Sequence, residues 1–263
     1  MDLARRELAE ALVAGRGQPE QPFGCYVIGG DDPAAELGRS VERDVFLEYF
    51  GNTEELLAAE YGPYERTSLF LCVVDHRRLV PAGVMRMILP TPAGQKSLVD
   101  MERCWGTDAA TAFARSGADV DPARVWDIAT LAVAADYRGG GSEGLVSIAL
   151  YQAAFQSALP CGIGFFVAIL DSVVLRLIEE RVSEPFRYFA GLEPRRYLDS
   201  PASLPVFVDI DDYSRRLRAA DPRMHEVLLD GRGLEAAVSV PRWVEESRAV
   251  VDRLHAAARA LPA

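Results

Sequence analysis

Metal-ligand and disulfide spacings are both missing from this chain. Its four cysteines, Cys25, Cys72, Cys104 and Cys161, are scattered without a CxxC pair, and only His76, His225 and His255 accompany them. Neither a zinc site nor a disulfide framework follows from such spacing, so the expectation is no metal and reduced, structural thiols in a cytoplasmic protein. Cys72 and Cys161 sit in apolar runs and read as core, with no histidine patterned to activate them. A basic excess is missing too. The formal net charge of −11 argues against nucleic-acid binding, which needs a basic face. No apolar stretch reaches membrane-spanning length; the best, Ile163 to Leu170, is strand-sized, so no membrane partner is expected. The first fourteen residues are amphipathic and mixed in charge, unlike a signal peptide. Internal repeats and low-complexity tracts are absent as well.

What is there suffices for a sizeable core. The chain has 263 residues, 49% of them hydrophobic. Residues 1–22 read as a helix and a Gly/Pro/Gln linker. A short strand, Cys25 to Ile28, precedes a helix from Ala34 to Phe50 with apolar residues at helical spacing. Ser68–Asp75 and Val80–Leu89 read as a hairpin. A polar helix-and-loop insertion, 95–123, leads to a strand from Val125, a helix from Ser142 to Ala158 and a strand at 163–170. A helix from Asp171 to Arg181 and a last strand, Leu204 to Ile210, follow. This order predicts an α/β fold with a mixed sheet. The tail from Asp211 is helical, and its apolar positions, among them Leu228, Val238, Trp243, Val244 and Leu254, are too many for a solvated segment. They must pack on the sheet, on a symmetry mate in a homodimer, or on a partner. The expected division is thus an N-terminal helix and linker (1–22), a main domain (23–210) and a helical extension (211–263).

The most informative stretch is VWDIATLAVAADYRGGGSEG, a buried strand running into an Arg-Gly-Gly-Gly turn ahead of a helix. Unpaired first-turn N–H groups and the positive end of the helix dipole make such a turn a phosphate site. Gly139, Gly140 and Gly141 let a ligand oxygen approach the backbone, and Arg138 offers a bidentate donor. The turn lacks the Gly-Lys-Ser/Thr ending of a P-loop. Gly139–Gly144 satisfies the letter of a dinucleotide fingerprint, with Asp171 near the end of the next strand, so that reading stays open. So does the plain one, in which the glycines only make a tight strand–helix turn.

Taken together, these residues resemble the GCN5-related N-acetyltransferase (GNAT) superfamily. Its phosphate-binding pattern, Gln/Arg-x-x-Gly-x-Gly/Ala, maps onto Arg138, Gly139, Gly140, Gly141 and Ser142, with Gly144 following and Glu143 in place of a small residue. The resemblance implies a GNAT-like mixed, mostly antiparallel sheet flanked by helices. It also implies acyl-CoA as co-substrate rather than a tightly bound cofactor, with its pantetheine beside the strand Asp127 to Val133. SVERDVFLEYF, AGVMRMILPT and WDIATLAV are further similar to segments of the autoinducer synthase and N-acyl amino acid synthase branch, Arg-x-x-Val-Phe-x-Glu, Gly-x-x-Arg-Leu-Leu-Pro-Thr and Trp-Glu-Ile-Ser-Arg-Phe-Ala-Val. Asp127 replaces that branch's glutamate and Thr130 its arginine, which argues against homoserine lactone synthesis.

The expected activity is N-acyl transfer from acyl-CoA or an acyl carrier protein to a small amine, an amino acid among the candidates. The chemistry needs a base for the amine, donors for the oxyanion and a route for the thiolate. Asp127 is the first candidate base, because burial raises a carboxylate's pKa, with a capping aspartate as the alternative reading. Glu102 is the second, with a solvated carboxylate as its alternative. Backbone N–H groups of Leu131, Ala132 and Val133 are the candidate oxyanion donors. The helix 171–181 carries no tyrosine where GNAT enzymes usually do; Ile178 stands there, and Tyr188 is the substitute acid or else a buried packing residue. Arg86 and Trp126 are the candidates for holding the acceptor, Arg86 through its carboxylate or else in a salt bridge across the sheet. The competing classes are a non-catalytic acyl-CoA-binding or partner-binding domain, and an enzyme that hydrolyses or decarboxylates the thioester itself.

Overall fold

The computed structural model describes residues 3–16, 19–91, 94–239 and 243–259, without the side chains of residues 243, 244, 255 and 257–259. Met1, Asp2, Gly17 and Gln18 of the expected helix and linker therefore lie outside the described residues, as do the Trp243 and Val244 side chains. The chain opens with α1 (Leu3–Gly15), β1 (Phe23–Gly29), α2 (Ala35–Phe50) and α3 (Glu54–Tyr61). The hairpin β2 (Ser68–Asp75) and β3 (Val80–Ile88) follows, then α4 (Lys96–Trp105), α5 (Ala109–Arg115) and β4 (Val125–Val133). Next come α6 (Leu145–Ala158), β5 (Phe165–Asp171) and α7 (Ser172–Val182). The strands β6 (Arg187–Tyr188), β7 (Arg195–Tyr197) and β8 (Ser200–Asp209) precede α8 (Ile210–Ala220), α9 (Pro222–Leu228), β9 (Val238–Ser239) and α10 (Trp243–Arg259). The fold is α/β and GNAT-like, with mixed, mostly antiparallel pairing and flanking helices.

Contacts divide the chain into two compact units. The first comprises Met1–Met87, Thr130–Cys161 and Glu226–Ala263. Here β1 pairs antiparallel with β2, from Phe23 opposite Asp75 to Gly29 opposite Leu69, and parallel with β9. Every residue of β2 is buried. Its unbroken run SLFLCVVD fits a strand covered on both faces. On one face α2 lies so close that a Cβ at Gly38 would meet Phe70 at 2.8 Å and Val84 at 2.9 Å. On the other, a Cβ at Gly83 would meet Val146 of α6 at 2.6 Å.

The second unit comprises Ile88–Ala129 and Gly162–His225. Strand β5 runs antiparallel to β8 over seven residue pairs, from Phe165–Asp209 to Asp171–Ser203. It pairs in parallel with β4 only at Val125–Phe165, Trp126–Phe166 and Asp127–Val167. Beyond that point β4 continues for six residues outside the β5 ladder. The core is aromatic, with the Phe113, Phe189 and Phe207 rings 4.8–5.3 Å apart between centroids. Asp171 caps α7 as its position suggests, accepting from the amides of Val173 and Val174.

Several expectations need correction. The insertion 95–123 is not merely polar: α4 and α5 give Met101, Trp105 and Phe113 to the aromatic core. The helix after the glycines begins at Leu145 rather than Ser142. Gly139 (φ 54), Glu143 (φ 52) and Gly144 (φ 77) are left-handed, which no α-helix accommodates. The tail is not wholly helical, since Val238 and Ser239 form an edge strand on β1; a two-residue strand has no periodicity to read.

The tail supplies core residues. Leu228, Val238, Val251 and Leu254 are buried, and Gln152 and Gln156 of α6 donate to the carbonyls of Val227, Leu228 and Leu229. A chain ending at Ile210 should therefore aggregate on expression, as size-exclusion chromatography would show. A soluble, monomeric truncation would contradict this packing.

Candidate functional site

Strand β4 carries two polar side chains into the interior, and each is met by the chain itself. Asp127 has no solvent exposure. Its Oδ2 accepts from the Ser97 amide at 2.6 Å and its Oδ1 from the Ser97 hydroxyl at 2.7 Å. Ser97 lies in the first turn of α4, so the carboxylate satisfies N–H and O–H donors at that helix start. Burial raises the Asp127 carboxyl from 3.8 to about 6, while the Ser97 bonds and the Lys96 charge pull the other way. Lys96, the chain's one lysine, is itself buried; its Nζ donates to Asp100 at 2.5 Å and to the Tyr197 hydroxyl at 3.1 Å.

Thr130 belongs to the first unit. Its hydroxyl donates to Glu42 Oε1 from α2. Arg86 of β3 meets the same carboxylate bidentately, Nε to Oε1 at 2.9 Å and Nη2 to Oε2 at 2.6 Å, and its Nη1 reaches Glu65 at 2.9 Å. The Arg86 and Glu42 side chains are only 4% and 5% exposed. Arg86 is ion-paired, though with Glu42 of α2 and with Glu65 rather than across the sheet; all three guanidinium nitrogens donate to these two carboxylates. The sequence signal for Glu42 was slight. It stands where the resembled Arg-x-x-Val-Phe-x-Glu pattern has arginine, an exchange that pairs it with Arg86.

The glycine turn is exposed. Residues 139–141 form a 3-10 turn separated from α6 by Ser142, Glu143 and Gly144. A Cβ at Gly139 or Gly140 would meet nothing within 4 Å, whereas one at Gly141 would fall 2.1 Å from the Asp136 carbonyl oxygen. Ser142 donates its hydroxyl to the Tyr137 carbonyl at 2.7 Å. Glu143 is exposed. Arg138 does not offer a free fork to a phosphate: its Nε donates to the Val133 carbonyl at 2.6 Å, and its Nη1 reaches Tyr49 Oη at 2.6 Å and Glu48 at 3.2 Å. The guanidinium also lies 4.5 Å over the Tyr49 ring. Neither Glu48 nor Tyr49 could be tied to Arg138 from sequence, because the bonds span about ninety residues.

The remaining candidates do not converge. Ala132 is buried in the first unit's core, with Leu131 and Val133 half-buried. Trp126 is fully buried, and its indole N–H has no partner among the described residues. Glu102 is on the exposed side of α4. Tyr188 is not a buried packing residue: it is 48% exposed and donates to Glu179 at 2.6 Å. Partial desolvation and the Glu179 carboxylate raise its hydroxyl to about 12, which makes it a poor acid. Ser97 was missed, since nothing in a lone serine announces a carboxylate thirty residues away.

No protein-family model matches the chain, and no curated protein sequence does. Solved structures match at the level of fold. FeeM, an N-acyl amino acid synthase from uncultured soil microbes, superposes with a TM-score of 0.56 at 12% identity, covering 76% of this chain and 97% of its own. BjaI, a CoA-dependent acyl-homoserine lactone synthase whose structure holds SAM and isopentyl-CoA, superposes with a TM-score of 0.53 at 20% identity, covering 89% and 99%. The fold neighbours therefore include the branch that the strand and helix segments resemble.

The buried Asp127 has a pH signature. Because its folded pKa is raised above the unfolded value, its contribution to stability is complete below about pH 4 and is lost as the pH rises through about 6. The full swing corresponds to about 3 kcal/mol. Asp127→Asn cannot ionise, so its stability relative to the parent should improve by up to that amount between about pH 4 and pH 7. Urea unfolding at the two pH values measures this; a constant difference would mean that the Asp127 pKa is the same in the folded and unfolded protein.

Proposed function

We propose that the protein is an N-acyltransferase that moves an acyl group from acyl-CoA to a small amine. One observation carries the reading: β4 leaves the β5 ladder after Asp127, continues to Val133 and then enters the exposed glycine turn before α6. Backbone N–H groups of Leu131 to Val133 would serve the thioester oxygen as it becomes an oxyanion. The diphosphate would sit against the backbone of Gly139, Gly140, Gly141, Ser142 and Gly144, where no side chain intervenes at the exposed glycines. Arg138 braces the turn from behind by tying it to β4 and α2. The chain's net charge of −11 repels a polyanion, so backbone donors rather than the overall field must hold it. The fold neighbours support the same chemistry. FeeM is an N-acyl amino acid synthase, and BjaI is a CoA-dependent acyl-homoserine lactone synthase whose structure holds isopentyl-CoA.

In this reading Asp127 is the base and acts through Ser97. The amine gives its proton to the Ser97 hydroxyl as that hydroxyl passes its own to Asp127 Oδ1. An Asp127 pKa of about 6 suits this task better than an ordinary carboxylate's. The attacking nitrogen forms the amide bond, the C–S bond breaks, and CoA leaves as a thiolate that takes a proton from water. No tyrosine on α7 is needed, because a thiolate is a good leaving group. A second reading, a non-catalytic acyl-CoA-binding domain, is favoured by the engagement of both Asp127 oxygens with Ser97.

Thiol release from a panel of acyl-CoAs, with and without amines, separates the classes. Amine-dependent release supports the transferase, release without amine indicates a hydrolase or decarboxylase, and binding without release indicates the non-catalytic domain. Asp127→Asn and Ser97→Ala should each lower kcat by roughly a hundredfold while leaving acyl-CoA affinity nearly intact. Normal kcat in either would remove the relay. Gly140→Asp should weaken CoA binding by more than tenfold, or about 1.4 kcal/mol, without altering the turn, because its Cβ meets open space. Parent affinity in calorimetry would place the phosphates elsewhere. Gly141→Asp is a poorer probe, since its Cβ would collide with the Asp136 carbonyl.

A further inference from the structure

The start of α4 carries a buried ion pair that the acyl-transfer chemistry leaves unused. Lys96 and Asp100 are one turn apart on the helix, and their side chains are 4% and 6% exposed. Lys96 Nζ donates to Asp100 Oδ2 at 2.5 Å. The same oxygen accepts from the Tyr197 hydroxyl of β7 at 2.5 Å, and Oδ1 meets Arg103 at 2.8 Å. A buried pair of this kind adds little stability over apolar residues of similar size, because desolvation offsets the attraction. Stability alone therefore does not account for placing the chain's one lysine here.

The residues on either side of Lys96 are both bonded to β4. Gln95 Nε2 donates to the Val125 carbonyl at 3.1 Å, and Ser97 donates its amide and its hydroxyl to Asp127. Lys96 is thus held against the segment that carries Asp127, within the second unit. Lys96, Asp100 and Asp127 are all buried, so the interactions among their charges are little screened. Among the described residues, the charged groups that bear on Asp127 are Lys96 and Asp100 of α4. Val167, its partner on β5, carries no charge, and Arg103 and Tyr197 reach Asp100 instead. We propose that Lys96 is a positioning residue that sets the ionisation of Asp127: its ammonium favours the carboxylate that accepts a proton, and Asp100 tempers this while holding the ammonium in place. Burial raises the Asp127 carboxyl most; the Lys96 charge lowers it and the Asp100 charge raises it. Without the cation, a base buried this deeply would stay protonated over more of the neutral range and accept fewer protons from an amine. The catalytic meaning rests on Asp127 being the base; the effect on its ionisation does not.

Neutralising the two partners should move Asp127 in opposite directions, which a general loss of structure would not do. In the full chain, Lys96→Met should raise the acid limb of the kcat–pH profile by about one unit, and Asp100→Asn should lower it. Tyr197→Phe removes a hydrogen bond but no charge, and should leave the limb in place. Urea unfolding reads the same shifts without activity. The stability that Asp127→Asn gains over its parent between about pH 4 and pH 8 should be larger in the Lys96→Met background and smaller in the Asp100→Asn background. If Lys96→Met does not fold, Lys96→Gln, which can still donate to Asp100, is read the same way. Shifts of one sign, or none, in the unfolding comparison would overturn the proposal, as would a limb that moves as far with Tyr197→Phe as with Lys96→Met. Opposite shifts in unfolding uphold it; if the kcat limb then stays put, or no amine releases thiol, it is the assignment of Asp127 as base that fails.

Discussion

The buried ion pair between Glu42 and Arg86 is the constraint on which the first unit depends. Two charges this far from water are tolerated only when geometry and further hydrogen bonds replace hydration. Here both conditions hold, through a bidentate contact, a second carboxylate from Glu65 and the Thr130 hydroxyl. Breaking one partner of such a pair typically costs about 3–5 kcal/mol, so α2, β3 and the end of β4 are locked in one register. Aromatic faces complete the shell, with Tyr61 and Phe70 within 4.8 Å of the Arg86 guanidinium.

That lock bears on the proposed chemistry because it holds the end of β4 that leads to the glycine turn. Asp127 and Thr130 are the two buried polar residues of β4, one fixed by Ser97 and the other by Glu42. Backbone donors on the strand between them and the turn need no side chain of their own to stabilise an oxyanion, only a backbone that does not move. The burial that makes Asp127 a capping group for α4 also raises its pKa toward the value a base requires. The structural role and the proposed chemical one would thus share one cause, desolvation.

Arg138 shows how one residue can tie together segments far apart in the chain. Its bond to the Val133 carbonyl fixes the exit of β4, its contacts with Glu48 and Tyr49 reach α2, and its remaining nitrogen is buried. A guanidinium suits this because its donors are planar and fixed relative to one another. The exposed side of the turn is left to glycine.

Much of the fold was legible in the sequence. The apolar run SLFLCVVD read as a strand of a hairpin, helical spacing from Leu37 to Phe50 read as an amphipathic helix, and Asp171 stood where a cap would stand. The glycine cluster after β4 marked a turn, and the tail's apolar positions announced that it packs. The partners of charged groups were not legible, because they are set by contacts between residues far apart in the chain. Arg86 and Glu42 are 44 residues apart, Asp127 and Ser97 are 30 apart, and Arg138 and Glu48 are 90 apart. Sequence determined which segments are strands, helices and turns, since periodicity and backbone preference act locally. Only the tertiary structure decided which charges are paired with each other and which polar atoms are buried, since desolvation and pairing depend on what surrounds a group in space.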